Sequence, residues 1–227
     1  MKTAIDVSNY QPRDLSNLIQ SYAPDTVIIR IQLPGEHIPA GYTLAQADSA
    51  HSWGVRVEAY VWGYGSVSPV WTMTEAVEMY VKMGAQGPLW LDCEADITED
   101  WIRDAVSTGE ALGVTVGIYT GYWWWKGHVT STEFGRLPLW IAAYSTDSPK
   151  LPDGWDSYYW WQWTSDPIDQ NVGGDEVDVI KVTDGLDRIW EVKTELEKII
   201  TLFPEFAPLV QRLFEGVVEI KEGTGLQ

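Results

Sequence analysis

The sequence predicts an α/β protein whose strands close into an irregular barrel. Strand and helix patterns alternate five times through the first 135 residues, three more strand patterns follow without a convincing helix, and carboxylates stand at several strand ends. Consecutive βα units indicate a parallel sheet with right-handed crossovers. Eight strands are enough to close a barrel, here one that lacks helices on one side.

The first five units each join a short apolar strand to an amphipathic helix. The strands are expected at Thr3–Ser8, Thr26–Leu33, Val55–Tyr64, Pro88–Glu94 and Thr115–Thr120. The helices are expected at Arg13–Tyr22, Thr43–Ser52, Thr72–Gly84, Thr98–Leu112 and Tyr122–His128. Thr98 stands at the N-cap position of the fourth helix, where a side-chain oxygen accepts a hydrogen bond from a free backbone N–H.

The remaining strands are expected at Leu137–Ser145, Tyr158–Thr164 and Val177–Thr183. The gap Ser165–Glu176 contains Asp-Pro, Asn and Gly-Gly, a composition typical of loops. Strands seven and eight then form a hairpin, so the eighth runs antiparallel. The barrel domain is expected to cover residues 1–186.

Residues 187–227 are predicted to form a C-terminal helical extension. Apolar residues recur at helical spacing from Leu186 to Phe203 and again from Leu209 to Ile220, with Pro204 and Pro208 between the two stretches. The first helix is expected to pack on the barrel. The second is interpreted as a contact for self-association or docking, and its few basic residues make membrane binding the weakest reading.

The fourth strand ends in two carboxylates, Asp92 and Glu94. Side chains two apart on a strand point to the same side, with roughly 7 Å between their Cα atoms. Two carboxyl groups held close together do not both ionise readily, so the pKa of one of them is expected to rise. A carboxylic acid with a raised pKa beside an ionised carboxylate is the pair that cleaves a glycosidic bond. The alternative is a pair of solvated loop carboxylates.

The topology brings further carboxylates to the same place. Active sites of (β/α) barrels lie at the carboxyl ends of the parallel strands. Asp6 lies towards that end of strand one, and Asp178 opens the predicted antiparallel strand eight, which starts at the same rim. The sequence therefore predicts four carboxylates, Asp6, Asp92, Glu94 and Asp178, around one mouth.

Composition excludes several classes of partner. The net charge is −18 and the pI near 4.3, which argues against nucleic acid and anionic membranes. One cysteine and three scattered histidines give no metal-ligand spacing, so neither a metal nor a cofactor is expected. No apolar run reaches the roughly 18 residues of a transmembrane span. No secretory signal is recognisable, which predicts synthesis in the cytoplasm.

The chain is rich in aromatic residues that carry a polar edge. It contains 14 Trp and 11 Tyr against 4 Phe. Such rings suit a surface where a flat apolar face contacts a hydrated, polar ligand such as a sugar. The alternative, expected for most of the 14 tryptophans, is that they fill the barrel core and its rim.

Five motifs follow one another along the chain: Asp6-Val7-Ser8-Asn9-Tyr10-Gln11, Asp92-Cys93-Glu94, Leu139-Trp140-Ile141-Ala142-Ala143-Tyr144, Trp161-Gln162-Trp163 and Val177-Asp178-Val179. In this order they resemble glycoside hydrolase family 25, the muramidase-type lysozymes, over about residues 3–185. The resemblance implies a barrel of five βα units and three further strands. The family often has Asn two residues after the last Asp, where this chain has Ile180.

The resemblance implies hydrolysis of the β-1,4 bond between N-acetylmuramic acid and N-acetylglucosamine in peptidoglycan. Glu94 would be the general acid, Asp92 would assist the substrate N-acetyl group, and Asp6 and Asp178 would complete an acidic floor. Five side chains at strand positions are expected to line the cleft or, for about half of them, to belong to the core: Tyr60, Tyr119, Trp140, Tyr144 and Gln162.

The leading interpretation is an active muramidase of the endolysin or virion-associated type, from a bacteriophage or prophage, that acts on the bacterial cell wall. The alternative is a non-catalytic protein that binds glycan or assembles in a particle through a lysozyme-like barrel. A third, minor interpretation is a hydrolase of chitin-like polymers, which the same acid and acetamido chemistry would serve.

Overall fold

A computed structural model of the chain describes residues 2–36 and 41–173. In this part of the chain the strands are β1 Lys2–Val7, β2 Thr26–Arg30, β3 Arg56–Trp62, β4 Leu89–Asp92, β5 Val116–Gly121, β6 Leu139–Ala142, β7 Trp160–Thr164 and β8 Gln170–Gly173. The helices are α1 Ser16–Tyr22, α2 Tyr42–Ser52, α3 Pro69–Lys82, α4 Glu99–Ala111 and α5 Tyr122–His128, followed by a 3₁₀ turn at Glu133–Arg136.

The eight strands form one closed barrel in sequence order. Neighbouring strands from β1 to β7 are parallel, and β8 pairs antiparallel with both β7 and β1. The prediction of an irregular α/β barrel with five βα units, three further strands and an antiparallel last strand is confirmed. Among the described residues no helix is long and apolar enough to span a membrane.

The position of the eighth strand was not predicted correctly. The barrel closes through β8 at Gln170–Gly173, inside the gap 165–176 that the sequence assigned to a loop. The strand has only four residues and buries the polar Asn171, so it shows no apolar pattern. Gly173 has a φ of 131°, and a Cβ there would lie 2.2 Å from the Tyr159 carbonyl oxygen, so the close approach of β7 requires glycine.

The predicted eighth strand at 177–183, Asp178 and the predicted helical extension over 187–227 all lie outside the described residues. The boundary at residue 186 and the proposed self-association or docking through that extension therefore stay predictions.

The outer face of the barrel packs against the helices through aliphatic side chains. Strand residues such as Ile29, Val61 and Leu91 are fully buried in this layer, and Cys93 lies in it too. Helix α4 begins at the predicted N-cap, where the Thr98 hydroxyl accepts a hydrogen bond from the Trp101 N–H at 3.2 Å. The layer fixes the barrel strands, and with them the direction of every inward-facing side chain.

The barrel interior is aromatic. Trp90, Trp140 and Trp160 are all buried there, and the rings of Trp90 and Trp140 meet edge to face at 5.8 Å. Gly117 makes room for this layer, because a Cβ at that position would lie 2.4 Å from the Trp90 ring. These three tryptophans fill the barrel interior, whereas Trp53, Trp123 and Trp163 are exposed.

A buried carboxylate, Glu58, binds the aromatic layer at the end of the barrel where the parallel strands begin. Its Oε2 accepts hydrogen bonds from the indole N–H of Trp90 at 2.8 Å and of Trp160 at 3.0 Å. Arg56 lies 3.3 Å from its Oε1. Burial raises the pKa of Glu58, and these hydrogen bonds and the Arg56 charge oppose the rise. The polar groups that remain inside the barrel lie towards the carboxyl ends of the strands.

Candidate active site

Four carboxylates meet at the rim formed by the carboxyl ends of the parallel strands. Asp6 is the penultimate residue of β1, Asp92 ends β4, and Glu94 follows two residues later. The fourth is Asp169, which directly precedes the antiparallel strand β8 and so starts at the same rim. The Asp6 N–H donates to the Asp169 carbonyl oxygen at 3.2 Å, which ties β1 to the residue that opens β8.

Asp6 is buried and held by two amide side chains. Its Oδ2 accepts hydrogen bonds from Asn171 Nδ2 at 2.8 Å and from Gln162 Nε2 at 2.9 Å. Burial raises the pKa of Asp6 to about 7, the Asp169 charge adds to the rise, and the two amide donors oppose it. Asp6 therefore gains or loses its proton near neutral pH.

The two amides are themselves oriented by aromatic side chains. The Oε1 of Gln162 accepts from the Tyr119 hydroxyl at 2.9 Å and also from the Tyr144 hydroxyl. The Oδ1 of Asn171 accepts from the Trp140 indole N–H at 2.7 Å. Each amide must therefore turn its NH₂ group towards Asp6, since its oxygen is already engaged by donors. The aromatic side chains therefore fix the orientation of both amide groups towards Asp6.

Asp92 is buried and lacks a partner for one of its oxygens. Its side chain lies at the end of β4, and its Oδ1 has no hydrogen-bond donor within the part of the chain that the structure describes. Burial raises the pKa of Asp92 well above its usual value, and the Glu94 charge raises it further, while the nearby Arg30 lowers it. A buried acceptor without a donor is costly in the free protein, so a ligand N–H or O–H would be bound favourably there.

Glu94 is exposed at the mouth of the barrel. Partial desolvation raises its pKa, and the Asp169 charge adds to this rise. Cys93, between the two carboxylates, is buried on the helix side of the sheet. Because both Asp92 and Glu94 have raised pKa values, the pair holds a proton at a pH where ordinary carboxylates have lost theirs.

The five side chains predicted to line the cleft divide between interior and rim. Trp140 is core, with 1% of its surface exposed, and Tyr119 and Gln162 are buried in the hydrogen-bond network. Tyr60 is partly buried beside Trp140, with 5.9 Å between ring centroids. Only Tyr144 is well exposed, at 48%.

The residues missed by sequence reasoning are Asp169, Asn171 and Arg30. Asp169 and Asn171 have the Asp-x-Asn spacing that the family pattern often shows, whereas Asp178 is followed two residues later by Ile180. That spacing was the signal that could have found them. Arg30 ends β2 and donates to Glu36 at 2.6 Å and to the Tyr64 hydroxyl at 2.9 Å.

Two exposed aromatic residues extend the rim beyond the carboxylates. Tyr10 follows β1 and is 87% exposed, and Trp123 follows β5 and is 75% exposed. Within residues 2–36 and 41–173 no three His, Cys, Asp or Glu side chains are grouped so as to hold a metal ion. The described site thus consists of carboxylates, amides and aromatic rings, a set suited to proton transfer next to a sugar.

This chain belongs to glycosyl hydrolases family 25. The family model matches residues 5–172, so the matched region includes Asp169 and Asn171 and ends before Asp178. The resemblance inferred from the five motifs is thereby confirmed at the level of the family.

Curated relatives match over parts of their length. The "Probable GH family 25 lysozyme 3" of Dictyostelium discoideum is 28% identical over 125 residues, 49% of this chain and 26% of that protein. "Counting factor 50" of the same organism is 32% identical over 94 residues, 37% of this chain and 30% of that protein. This chain thus spans less than a third of the curated relatives it matches.

Solved structures share the barrel. The muramidase from Acremonium alcalophilum matches with a TM-score of 0.64 and 23% identity, over 78% of this chain and 95% of that one. The muramidase from Trichobolus zukalii gives 0.65 and 22%, over 78% and 96%. The CTP1L endolysin gives 0.61 and 21%, over 77% and 67%. At these identities the likeness establishes the fold.

Proposed function

We propose that this protein is a muramidase, which hydrolyses the β-1,4 bond between N-acetylmuramic acid and N-acetylglucosamine in peptidoglycan. The observation that carries the proposal is the pair at the end of β4: Asp92 with a buried, unpartnered Oδ1, and exposed Glu94 with a raised pKa. Membership of family 25 and the muramidases among its structural neighbours support the same substrate.

Glu94 is the general acid in this proposal. It is the exposed member of the pair, so it is accessible to a glycosidic oxygen, and its raised pKa lets it keep its proton to a higher pH than an ordinary glutamate does. The proton passes from Glu94 to the leaving oxygen as the glycosidic bond breaks. The resulting carboxylate then accepts a proton from the water that completes hydrolysis.

Asp92 assists the N-acetyl group of the substrate. Its free Oδ1 accepts the acetamido N–H, and this hydrogen bond favours the ionised form of Asp92. Repulsion between the two carboxylates then keeps the proton on Glu94. The acetamido oxygen attacks the anomeric carbon as the bond to the leaving oxygen breaks, and the positive charge that develops on the acetamido group is stabilised by Asp92.

Asp6 and Asp169 provide the acidic floor beside this pair. Asp6 is held by Gln162 and Asn171, and its titration near neutral pH lets it order a water or a sugar hydroxyl in either protonation state. We also propose that the protein acts on the bacterial cell wall as a lysin of the bacteriophage type, a suggestion supported by the CTP1L endolysin among its structural neighbours.

Product analysis on defined peptidoglycan tests the proposal. The purified protein is incubated with walls of several chemotypes, and the released fragments are identified by mass spectrometry, with Glu94→Gln and Asp92→Asn alongside. Fragments ending in reducing N-acetylmuramic acid, absent with Glu94→Gln, are expected. Fragments ending in reducing N-acetylglucosamine would contradict the bond assignment, and binding without release by a folded sample would favour a non-catalytic glycan-binding protein.

A further inference from the structure

Two lysines and two aromatic rings form an exposed cluster on the same rim as the carboxylates. We call Tyr122, Trp123, Lys126 and Lys150 the lysine–aromatic patch. Lys150 Nζ lies 4.3 Å from the centre of the Tyr122 ring and 5.7 Å from that of Trp123, and Lys126 Nζ lies 5.9 Å and 5.7 Å from the same two centres. Trp123 is 75% exposed.

The topology places the lysine–aromatic patch next to the site. Helix α5 starts at Tyr122, directly after β5, and β5 is the hydrogen-bonded neighbour of the strand that ends in Asp92. Lys150 comes from the segment between β6 and β7, which leaves β6 at the same rim. Two adjacent rim segments therefore build the patch beside the mouth.

The patch is a positive spot on a strongly acidic chain. The net charge is −18, with 15 Lys and Arg against 33 Asp and Glu. Five basic side chains in the described residues pair with carboxylates within 4.0 Å: Arg30, Arg56, Lys82, Arg103 and Arg136. Lys126 and Lys150 have no such carboxylate partner in the described part of the chain; they face aromatic rings instead. Hydrogen bonding by Lys150, with the two ammonium charges, also lowers the pKa of Tyr122.

This combination fits an anionic group carried next to a sugar. The exposed indole offers a flat apolar face, and two ammonium groups without carboxylate partners offer charge-assisted hydrogen bonds to a carboxylate. On a peptidoglycan strand the carboxylates next to the sugars belong to the stem peptides attached to muramic acid.

We propose that the lysine–aromatic patch binds carboxylates of the peptidoglycan stem peptide and thereby selects glycan that carries stems. The proposal rests on the proposed muramidase function and adds which form of the substrate is preferred. Phosphate groups of wall polymers share the anionic chemistry, and the experiment separates them from stem carboxylates.

The test compares a double variant, Lys126→Ala with Lys150→Ala, with the wild type on two substrates. One is peptidoglycan freed of phosphate polymers with its stems intact; the other is the same glycan after an amidase has removed the stems. Two exposed ion pairs predict a loss of kcat/KM of about threefold to tenfold on the stem-bearing substrate and none on the stripped glycan. About 0.5 M salt should abolish the difference.

A charge-matched control is Lys2→Ala with Lys82→Ala, which removes the same charge from the opposite end of the barrel, where β1 begins and α3 ends. This control should keep the wild-type preference for stems, and thermal unfolding should show both double variants folded. Equal loss on the two substrates, no loss on either, or a loss seen only on walls that retain phosphate polymers would each overturn the proposal.

The proposed function can fail separately. If the wild type cleaves neither substrate, the muramidase assignment is refuted. Titration calorimetry with stem-bearing and stem-free glycan fragments then tests stem recognition by the lysine–aromatic patch independently of cleavage. Tighter binding of the stem-bearing fragment that disappears in the patch variant would support stem recognition, and equal binding of both fragments would refute it.

Discussion

Replacing Asp6 with Asn should remove a large part of the pH dependence of folding stability. Burial raises the pKa of this carboxyl from 3.8 to about 7, with the Asp169 charge adding to the rise. The folded protein therefore binds the Asp6 proton more tightly than the unfolded chain does. Stability contributed by this group is greatest below the unfolded value, falls as pH rises from about 4 to about 7, and is constant above that range.

The size of the effect follows from the two pKa values. Each unit of difference corresponds to about 1.4 kcal/mol, so the ionisation penalty on folding is about 2 kcal/mol at about pH 5 and about 4 kcal/mol at about pH 8. The wild type should thus lose about 2–3 kcal/mol of unfolding free energy across that interval because of Asp6. Asn cannot ionise, and its side-chain oxygen can still accept from Gln162 and Asn171.

Urea unfolding of the wild type and Asp6→Asn at several pH values measures this difference. The variant should show a flatter profile than the wild type by at least the worked amount, because removing the Asp6 charge also relieves Asp169. Asp104→Asn, at an exposed position on α4, serves as the control and should leave the profile unchanged. The reasoning is refuted if Asp6→Asn keeps the wild-type slope between about pH 5 and about pH 8.

Three further substitutions probe the scaffold, each measured as the change in unfolding free energy from urea titration. Gly117→Ala places a methyl group against Trp90 and should cost about 1–3 kcal/mol; a neutral result would mean that the interior is looser than the 2.4 Å approach implies. Thr98→Ala removes the cap of α4 and should cost about 1 kcal/mol, with Thr98→Ser largely retaining stability. Trp140→Phe leaves the buried Asn171 oxygen without its donor and should cost about 1–3 kcal/mol beyond the lost volume, whereas a cost below about 0.5 kcal/mol would count against the network.

The five βα units could be predicted because their strands and helices follow simple periodic patterns. Strands such as β4 are apolar on both faces, and α4 begins at a threonine cap followed by an amphipathic repeat. The end of β4 also revealed the Asp92–Glu94 pair, since parallel strands direct their carboxyl ends to one rim.

The last strand escaped prediction because its identity is set by tertiary contacts. β8 is four residues long, is bonded on both sides, and carries Asn171 inwards to meet Asp6 and Trp140. Neither its length nor its composition distinguishes it from a loop. The burial of Glu58 also depends on tertiary contacts, because it is compensated by indole donors that come from two distant strands.

The central claim is that Glu94 is the general acid and that Asp92 assists the acetamido group. A change of leaving group tests this claim most directly. A dinitrophenyl glycoside releases a phenolate that needs no proton, while it still needs acetamido assistance. kcat/KM is therefore measured for the wild type, Glu94→Gln and Asp92→Asn on peptidoglycan and on a dinitrophenyl glycoside of N-acetylmuramic acid.

We expect Glu94→Gln to lose about 10²–10⁴-fold on peptidoglycan and to recover most of that loss on the activated glycoside, because only the first reaction requires an acid. Asp92→Asn should be impaired on both substrates. Equal impairment of Glu94→Gln on the two substrates, or recovery of Asp92→Asn on the activated one, would contradict the assignment of the acid to Glu94.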